Sequence, residues 1–280
     1  MIIGIHRPPG QHRAFKWLDA FAAGARKHGE KVVIGANAPL PVDIAVTWSF
    51  KKHNVKRAMA ERGKDVLVLE HGYFGDRINT FCSCTFNGLN GRGEFILPIV
   101  KPRDRWEKHQ VEVKPWRKQP GEYILLLGQV AGDASMVCFP PNWYSTIAKE
   151  AKRVFGLPVK FRPHPLARQT VKGQNLDVIG GTLMDAFKNA HCAITWNSNS
   201  AVEAVLNGLP VFVFDEGSMA WAVAGHQLKP DLFRPERDIW LRHLAYCQWT
   251  LDELENGEAW EHLRKKYNVD EAETRHAASV

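Results

Sequence analysis

No stretch of this sequence approaches the roughly 18 consecutive apolar residues that a spanning helix needs, so a transmembrane segment is not expected. The opening Met-Ile-Ile-Gly-Ile-His-Arg is too short an apolar run for a secretion signal and reads instead as a first strand. Cysteine is scarce. Five in 280 residues, an odd number without regular spacing, exclude a disulfide framework. Cys82-Ser83-Cys84 lacks the two-residue gap of most zinc sites and has no second pair to complete one, so no metal and no cofactor are expected, and the chain reads as a reduced, cytoplasmic protein. Repeats and low-complexity tracts are lacking too, which sets aside solenoid and fibrous architectures. What is present is ordinary for a globular chain: 45% hydrophobic and 24% charged residues, enough to bury a core in two domains of about 120–140 residues each.

Charge is unevenly placed. The net charge is +7, yet residues 1–115 hold 19 basic and 11 acidic side chains while residues 116–280 hold 18 and 19. An excess confined to the first half points to a polyanionic partner docking there, against the alternative of a solvated basic surface.

The first half alternates short apolar runs with helical patterns. Ile2–Ile5, Val32–Ile34, Ile44–Val46 and Val66–Leu69 read as buried strands. Phe15, Leu18, Phe21, Ala22 and Ala25 recur at helical spacing up to His28-Gly29, and Lys51–Arg62 reads as a basic helix stopped by Gly63. From Cys82 to Pro120 the pattern breaks into glycine, proline and charge, which predicts a functional loop region and then a linker near Lys114–Pro120. Alternation resumes with strands at Tyr123–Leu127, Val159–Arg162, Leu176–Ile179, Cys192–Thr195 and Val211–Phe214, with helices at Trp143–Phe155, Leu183–Ala190 and Ala201–Asn207. Two terminal helices carry Trp240, Leu241, Leu244 and then Leu251, Leu254, Trp260, Leu263. The expectation is α/β, two Rossmann-like domains facing each other across a cleft, residues 1–115 and residues 116–280 with the C-terminal helices in the second.

Three segments carry chemistry. In the run Thr195-Trp196-Asn197-Ser198-Asn199-Ser200-Ala-Val-Glu203, a buried strand ends in hydroxyl and amide residues and a helix begins at once. Backbone N–H groups there, with the hydroxyls of Ser198 and Ser200, suit phosphate, and Glu203 one turn in suits ribose hydroxyls; the plainer reading is helix capping, for which one residue would suffice. Lys160-Phe-Arg162-Pro163-His164-Pro165 leaves a strand at the same sheet edge, where Arg162 and His164 can meet a diphosphate and the prolines stiffen the loop. In the first half, Glu70-His71-Gly72-Tyr73-Phe74-Gly75-Asp76-Arg77 follows the fourth strand. Asp76, then His71 and Glu70, are the candidates to take a proton from an acceptor hydroxyl. Arg7 after the first strand, Lys51 and Lys52 on the basic helix, Arg77, and Asn90 and Arg92 in the loop Asn87–Arg92 are the candidate acceptor contacts. Trp17, Trp240 and Trp260 fall on helical apolar faces and are expected in the core. Trp48, Trp106 and Trp116 stand in or beside loops, where stacking on bases or sugars and ordinary packing are both open.

The Arg-Pro-His-Pro loop, the Ser-rich strand–helix turn, the helix Glu and the Gly208-Leu-Pro210-Val211 that follows together resemble the donor domain of GT-B nucleotide-sugar glycosyltransferases, in particular the capsular-polysaccharide and glycerophosphotransferase-like branch, over about residues 120–225. The resemblance implies a metal-independent transferase. In it Arg162, His164, Ser198, Asn199, Ser200 and Glu203 hold the nucleotide diphosphate and ribose of a donor such as UDP-glucose, and Gly128-Gln129 closes over the phosphates. No glycine-rich loop near the N-terminus answers to the family's other donor contact. Compactness and the charge split also resemble phage glucosyltransferases that modify hydroxymethylated DNA bases. That likeness implies double-stranded DNA as acceptor, a flipped-out base, host cytoplasm and a monomer. The alternatives are a transferase building an acidic capsule or wall glycan, a nucleotide-sugar epimerase, and a non-catalytic nucleic-acid-binding protein.

Overall fold

The computed structural model describes residues 1–10, 12–36, 38–51, 53–98, 104–167, 176–267 and 275–277; Lys52 lies outside the described residues. The chain forms two compact units, one of Met1–Val111 with Leu241–Ser279 and the other of Glu112–Trp240.

The first unit starts with β1 (Ile2–His6), β2 (Lys31–Gly35), β3 (Ile44–Trp48), β4 (Asp65–His71), β5 (Phe81–Phe86) and β6 (Glu94–Ile96). Strands β2-β1-β3-β4 are parallel neighbours in that order, and β5 then runs antiparallel to β4, with Leu67 opposite Phe86 and His71 opposite Cys82. Fully apolar β-branched and leucine runs suit strands covered on both faces, and Ile3, Ile5, Ile44, Val46, Leu67 and Leu69 are all buried. The stretch from Cys82 onward, read from sequence as loop, is in fact strand: all six residues of β5 are buried. Its Cys-Ser-Cys-Thr core has small side chains of mixed polarity, so no hydrophobic alternation announces it.

The second unit is a parallel sheet in the order β11-β10-β7-β8-β9, built from β7 (Tyr123–Leu127), β8 (Val159–Arg162), β9 (Asp177–Val178), β10 (Ala190–Thr195) and β11 (Val211–Val213). Numbered within the unit this is 3-2-1-4-5, the Rossmann order. Its central strand Tyr-Ile-Leu-Leu-Leu is buried throughout. The helix Trp143–Phe155 covers it with Trp143, Tyr144, Ile147 and Ala151. Trp240 is buried in this unit, its indole N–H donating to Met219 O at 2.8 Å.

The C-terminal helices correct the expected domain boundary. Beyond Leu241 the chain returns to the first unit, where β12 (Gln248–Thr250) pairs antiparallel with β5 and β13 (Arg275–Ala277) with β6. Helices Leu251–Asn256 and Glu258–Leu263 pack on helix Phe15–Lys27. The contact is close because Gly24 carries no side chain: a Cβ there would lie 2.0 Å from Leu254 O. Phe21 meets Trp260 edge to face at 5.7 Å, and with Trp17 they form the expected aromatic core. The polar lock is Arg105 on helix Asp104–His109. Its guanidinium donates to both oxygens of Glu253 (2.9 and 3.1 Å), to Ala245 O (2.9 Å) and to Gln248 O (2.8 Å), with the Trp249 ring 4.0 Å away. Glu253 also closes a capping box with Thr250 and accepts from Lys108. No helix among the described residues is long and apolar enough to cross a membrane.

Burial raises the Glu253 pKa, but the hydrogen bonds and charge of Arg105, with the Thr250 N–H and Lys108, outweigh it and bring the group to about 2. Its contribution to stability is therefore complete above the unfolded value near 4.5 and is lost as pH falls toward about 2. Arg105→Met is expected to destabilise the protein by about 3–5 kcal/mol in urea unfolding, because it leaves a buried carboxylate under-compensated. Arg105→Met with Glu253→Leu should lose less than the sum of the two single changes; simple additivity would show that the pair is not coupled.

Candidate functional site

In the first unit the chain passes from β1 to β2 on one side and then to β3 on the other, so the strand order reverses between β1 and β3. Ligands of open α/β sheets bind outside the carboxyl ends of strands at such a reversal. The carboxyl ends there are His6-Arg7, Thr47-Trp48 and Glu70-His71. His71 stands edge to face with Trp48 at 5.4 Å. Among the described residues its Nδ1 meets no hydrogen-bond partner, and its Nε2 lies 3.9 Å from Glu70 Oε1, which itself accepts the His71 backbone N–H at 3.0 Å. Burial first, then the positive charges of Arg13, Arg77 and Lys16, lower the His71 pKa to about 4, so the imidazole is neutral and able to accept a proton at neutral pH.

The expected base Asp76 is placed differently. It is exposed, and its carboxylate accepts from the Asn79 backbone N–H (3.1 Å) and from the Asn79 side-chain amide (3.1–3.2 Å), folding the turn 76–79 on itself. Those hydrogen bonds hold its pKa below the ordinary value and engage the carboxylate in its own turn. Two glycines before it do permit a close approach, but they serve the backbone: Gly72 N–H donates to Arg77 O at 2.8 Å, closing the loop 72–77.

Of the candidate acceptor contacts, Arg7, Lys51 and Arg77 follow or adjoin the carboxyl ends of β1, β3 and β4. Arg7 forms an ion pair with Asp19 and lies over the Phe15 ring. Asn90 and Arg92 correct the expectation. Because β5 reverses direction, the loop after it is anchored at the start of β4, where Asn87 accepts from Val66 N–H and donates to Asp65. That is the opposite edge of the sheet, about 20 Å from His71 at the rise of a strand. The basic helix, His53–Glu61, is also less open than its sequence implies: Lys56 donates to Phe50 O at 2.8 Å and sits over the Phe50 ring, and Arg57 faces Glu61. Trp106 packs on Phe74 at 5.1 Å and Trp116 donates to Pro235 O beneath Arg237, so both pack rather than stand open.

In the second unit the reversal lies between β7 and β10, and the expected donor residues converge on that edge. Gly128 and Gln129 leave β7, Arg162 and His164 leave β8, and Ser198, Asn199, Ser200 and Glu203 follow β10. Gly128 makes the convergence possible: a Cβ would lie 2.7 Å from Phe161, and its N–H donates to Arg162 O at 2.9 Å. Arg162 Nη2 donates to Gly181 O at 3.3 Å, and His164 Nδ1 accepts from Leu166 N–H.

Behind this edge Gln129 enters a relay whose other members, Ser135, Asn197 and Asp215, sequence reasoning did not single out. Gln129 Nε2 donates to Asn197 Oδ1 (2.7 Å) while Gln129 Oε1 accepts from Asn197 N–H (3.0 Å). Asn197 Nδ2 donates in turn to Ser135 O (2.6 Å) and to Asp215 Oδ1 (3.1 Å), which also accepts from Gly217 N–H. This relay ties together the loops after β7, β10 and β11. Gln129 is thus turned inward, with its own N–H donating to Tyr144 Oη. Helix Ser200–Leu206 also differs from the expected open start. Ser200 N–H donates to Ser198 Oγ, and Ala201 and Val202 N–H to the Ser198 and Asn199 carbonyls, so Ser198 acts as a cap. Asp215 was findable, being the first acidic residue past a strand's carboxyl end. Among the described residues no group of three or more His, Cys, Asp or Glu side chains converges as a metal site requires.

No protein-family model and no curated protein sequence matches the chain. Solved structures do. The β-Kdo 2,7 transferase of Thermosulfurimonas dismutans KpsC superposes with a TM-score of 0.58 at 13% identity, covering 95% of this chain and 100% of that one. The β-Kdo 2,4 transferase of the same protein gives 0.55 at 13% identity over 87% and 90%. At this identity the likeness establishes the fold alone: a GT-B fold, of two Rossmann-like units.

The half-buried, neutral state of His71 is directly checkable. In histidine-labelled protein its ring resonances should stay constant from pH 8 to about pH 5 and titrate only near 4. Because the unfolded chain binds that proton first, near 6.5, this group alone makes stability fall as pH drops from about 6.5 to about 4. Titration of His71 near 6.5 in the folded protein would contradict its placement.

Proposed function

We propose that a chain of this fold acts as a glycosyltransferase, with a nucleotide diphosphate sugar such as UDP-glucose bound at the carboxyl edge of the second unit and an acidic glycan acceptor on the first. The observation that carries the reading is the convergence on one Rossmann edge of residues from two loops, after β8 and after β10: Arg162 and His164 to meet a diphosphate, Ser198 and Ser200 beside them, and Glu203 one turn into the helix to meet a ribose. Gln129 and Asn197 serve that edge by holding its loops, not by touching phosphate through their amides.

In the transfer, an acceptor hydroxyl oxygen attacks the sugar's anomeric carbon and the bond from that carbon to the diphosphate breaks. The hydroxyl proton passes to the His71 ring, and the nucleoside diphosphate leaves with the bonding electrons, its charge met by Arg162. An anionic acceptor helps. Burial is the first cause of the low His71 pKa and the field of Arg13, Arg77 and Lys16 the next; negative charge entering among those cations removes the second and strengthens the base.

Two observations favour an acidic glycan over duplex DNA. Once the C-terminal return is counted, the first unit holds 23 basic and 18 acidic side chains, a net charge of +5 against +2 for the second. The cations of helix His53–Glu61 are partly engaged at home, Lys56 with the Phe50 carbonyl and Arg57 with Glu61, and so are less available to a phosphate backbone.

Arg162→Ala and His164→Ala are each expected to weaken UDP-glucose binding by about 1–3 kcal/mol in calorimetry, the range for charged hydrogen bonds, with circular dichroism unchanged. His71→Ala should bind donor normally and transfer at least ~10²-fold more slowly, whereas Asp76→Asn keeps most turnover. Loss of turnover in Asp76→Asn alone would exchange the two roles. Offered labelled UDP-glucose with an acidic oligosaccharide and, separately, hydroxymethylated duplex DNA, the protein should label the oligosaccharide; label on the duplex alone would establish the DNA acceptor instead.

A further inference from the structure

The loop that follows His71 is held by a residue 175 positions away. Gln248, on β12 of the C-terminal return, is fully buried. Its Oε1 accepts the backbone N–H groups of both Tyr73 (2.7 Å) and Phe74 (3.2 Å), and its Nε2 donates back to Phe74 O at 3.4 Å. One primary amide thus satisfies three backbone groups of a loop whose next residues are Gly75, Asp76 and Arg77. The fit leaves no slack. A Cβ on Gly72 would lie 2.9 Å from Gln248 Oε1 and 2.6 Å from Phe81 Cβ.

Gln248 is itself fixed from behind. Its carbonyl accepts from Arg105, and Arg105 pairs with Glu253 in the first turn of the helix that follows β12. The same helix Asp104–His109 closes on the loop from another side, with Trp106 and His109 against the Phe74 ring at 5.1 and 5.3 Å. The peptide from His71 into Gly72 is therefore clamped at both ends: by β-pairing of His71 with Cys82 and by the amide of Gln248.

The geometry points to Gln248 as a positioning residue: it sets the path of residues 72–77, and through that path the orientation of the His71 ring and the place of Arg77. This rests on the reading of His71 as the base given above. The chemistry demands an amide. Oε1 must accept twice and Nε2 must donate once, and only a side chain with both kinds of group does so without stranding a buried peptide group. A displacement of about 1 Å in a reacting group is enough to cost about 10²-fold in rate.

The test uses the full chain with Gln248→Met, similar in length and without hydrogen-bonding capacity here, and Gln248→Glu, which keeps the accepting oxygens. In Gln248→Met the Tyr73 and Phe74 amides should exchange with solvent at least ~10-fold faster while amides of β1 and β3 keep their rates. The His71 ring resonances should shift, and turnover of UDP-glucose should fall about 10²-fold in kcat with the donor KM unchanged. Gln248→Glu, whose carboxylate accepts from the Tyr73 and Phe74 N–H groups but cannot donate to Phe74 O, should recover only part of the amide protection and of the turnover. Unaltered exchange at Tyr73 and Phe74 together with unaltered His71 resonances in Gln248→Met would overturn the inference, whatever the melting temperature did. Altered exchange and resonances with full turnover would keep Gln248 as the anchor of the loop and overturn His71 as the base. Should Gln248→Met not fold, Gly72→Ala applies the same displacement from the other side and is read by the same three signals.

Discussion

The buried ion pair of Arg105 and Glu253 is the constraint from which the first unit's architecture follows. Taking two charges out of water is costly, and the cost is offset only if every donor and acceptor finds a partner. Here they do: Arg105 spends its N–H groups on one carboxylate and two carbonyls, while Glu253 also caps its own helix. The pair is therefore specific. It accepts one arrangement of the segments 104–109 and 245–253, and that arrangement brings the chain's end back to a unit it left more than a hundred residues earlier. Without the return, β5 would lose its partner β12 and the helix Phe15–Lys27 would expose the face now covered by Leu254 and Trp260. The loop beyond His71 would lose Gln248.

Much of the parallel framework was legible because burial on both faces leaves a plain signature. Tyr123–Leu127 and Val66–Leu69 are uninterrupted apolar runs, and Gly29, Gly63, Gly156 and Gly208 mark the stops of helices Phe15–Lys27, His53–Glu61, Trp143–Phe155 and Ser200–Leu206. What escaped was everything set by contacts distant in sequence. Nothing near Arg105, in a run crowded with charge, distinguishes it from a solvated arginine; only Glu253, 148 residues on, does. β5 was hidden by small side chains, and with it the reversal that sends Asn90 and Arg92 to the wrong edge for a site at His71. The terminal helices announced their apolar faces, yet periodicity does not say which core receives them.

The candidate site was legible by edge and not by atom. Residues following β7, β8 and β10 do gather at the Rossmann switch point, because a parallel sheet delivers every carboxyl end to one side. The roles within that edge are decided by hydrogen bonds that composition cannot show. Gln129 and Asn197 hold each other, Ser198 caps the helix it precedes, and Asp215 anchors the relay from the next strand. The same distinction separates Asp76, which folds its own turn, from His71, whose ring is half-buried among cations and whose Nδ1 meets no partner among the described residues. Charge was the least local quantity of all: the excess counted over residues 1–115 shrinks when the acidic C-terminal return joins that unit.

The central claim is that the carboxyl edge of the second unit receives a nucleotide diphosphate. The most direct measurement is an amide NMR titration of the 280-residue chain with UDP. The account predicts that shifts concentrate at Gly128, Gln129, Arg162, His164 and the turn from Asn197 to Glu203, with the relay residue Asp215 responding behind them. Saturable shifts confined to the first unit, or none at millimolar UDP, would contradict it.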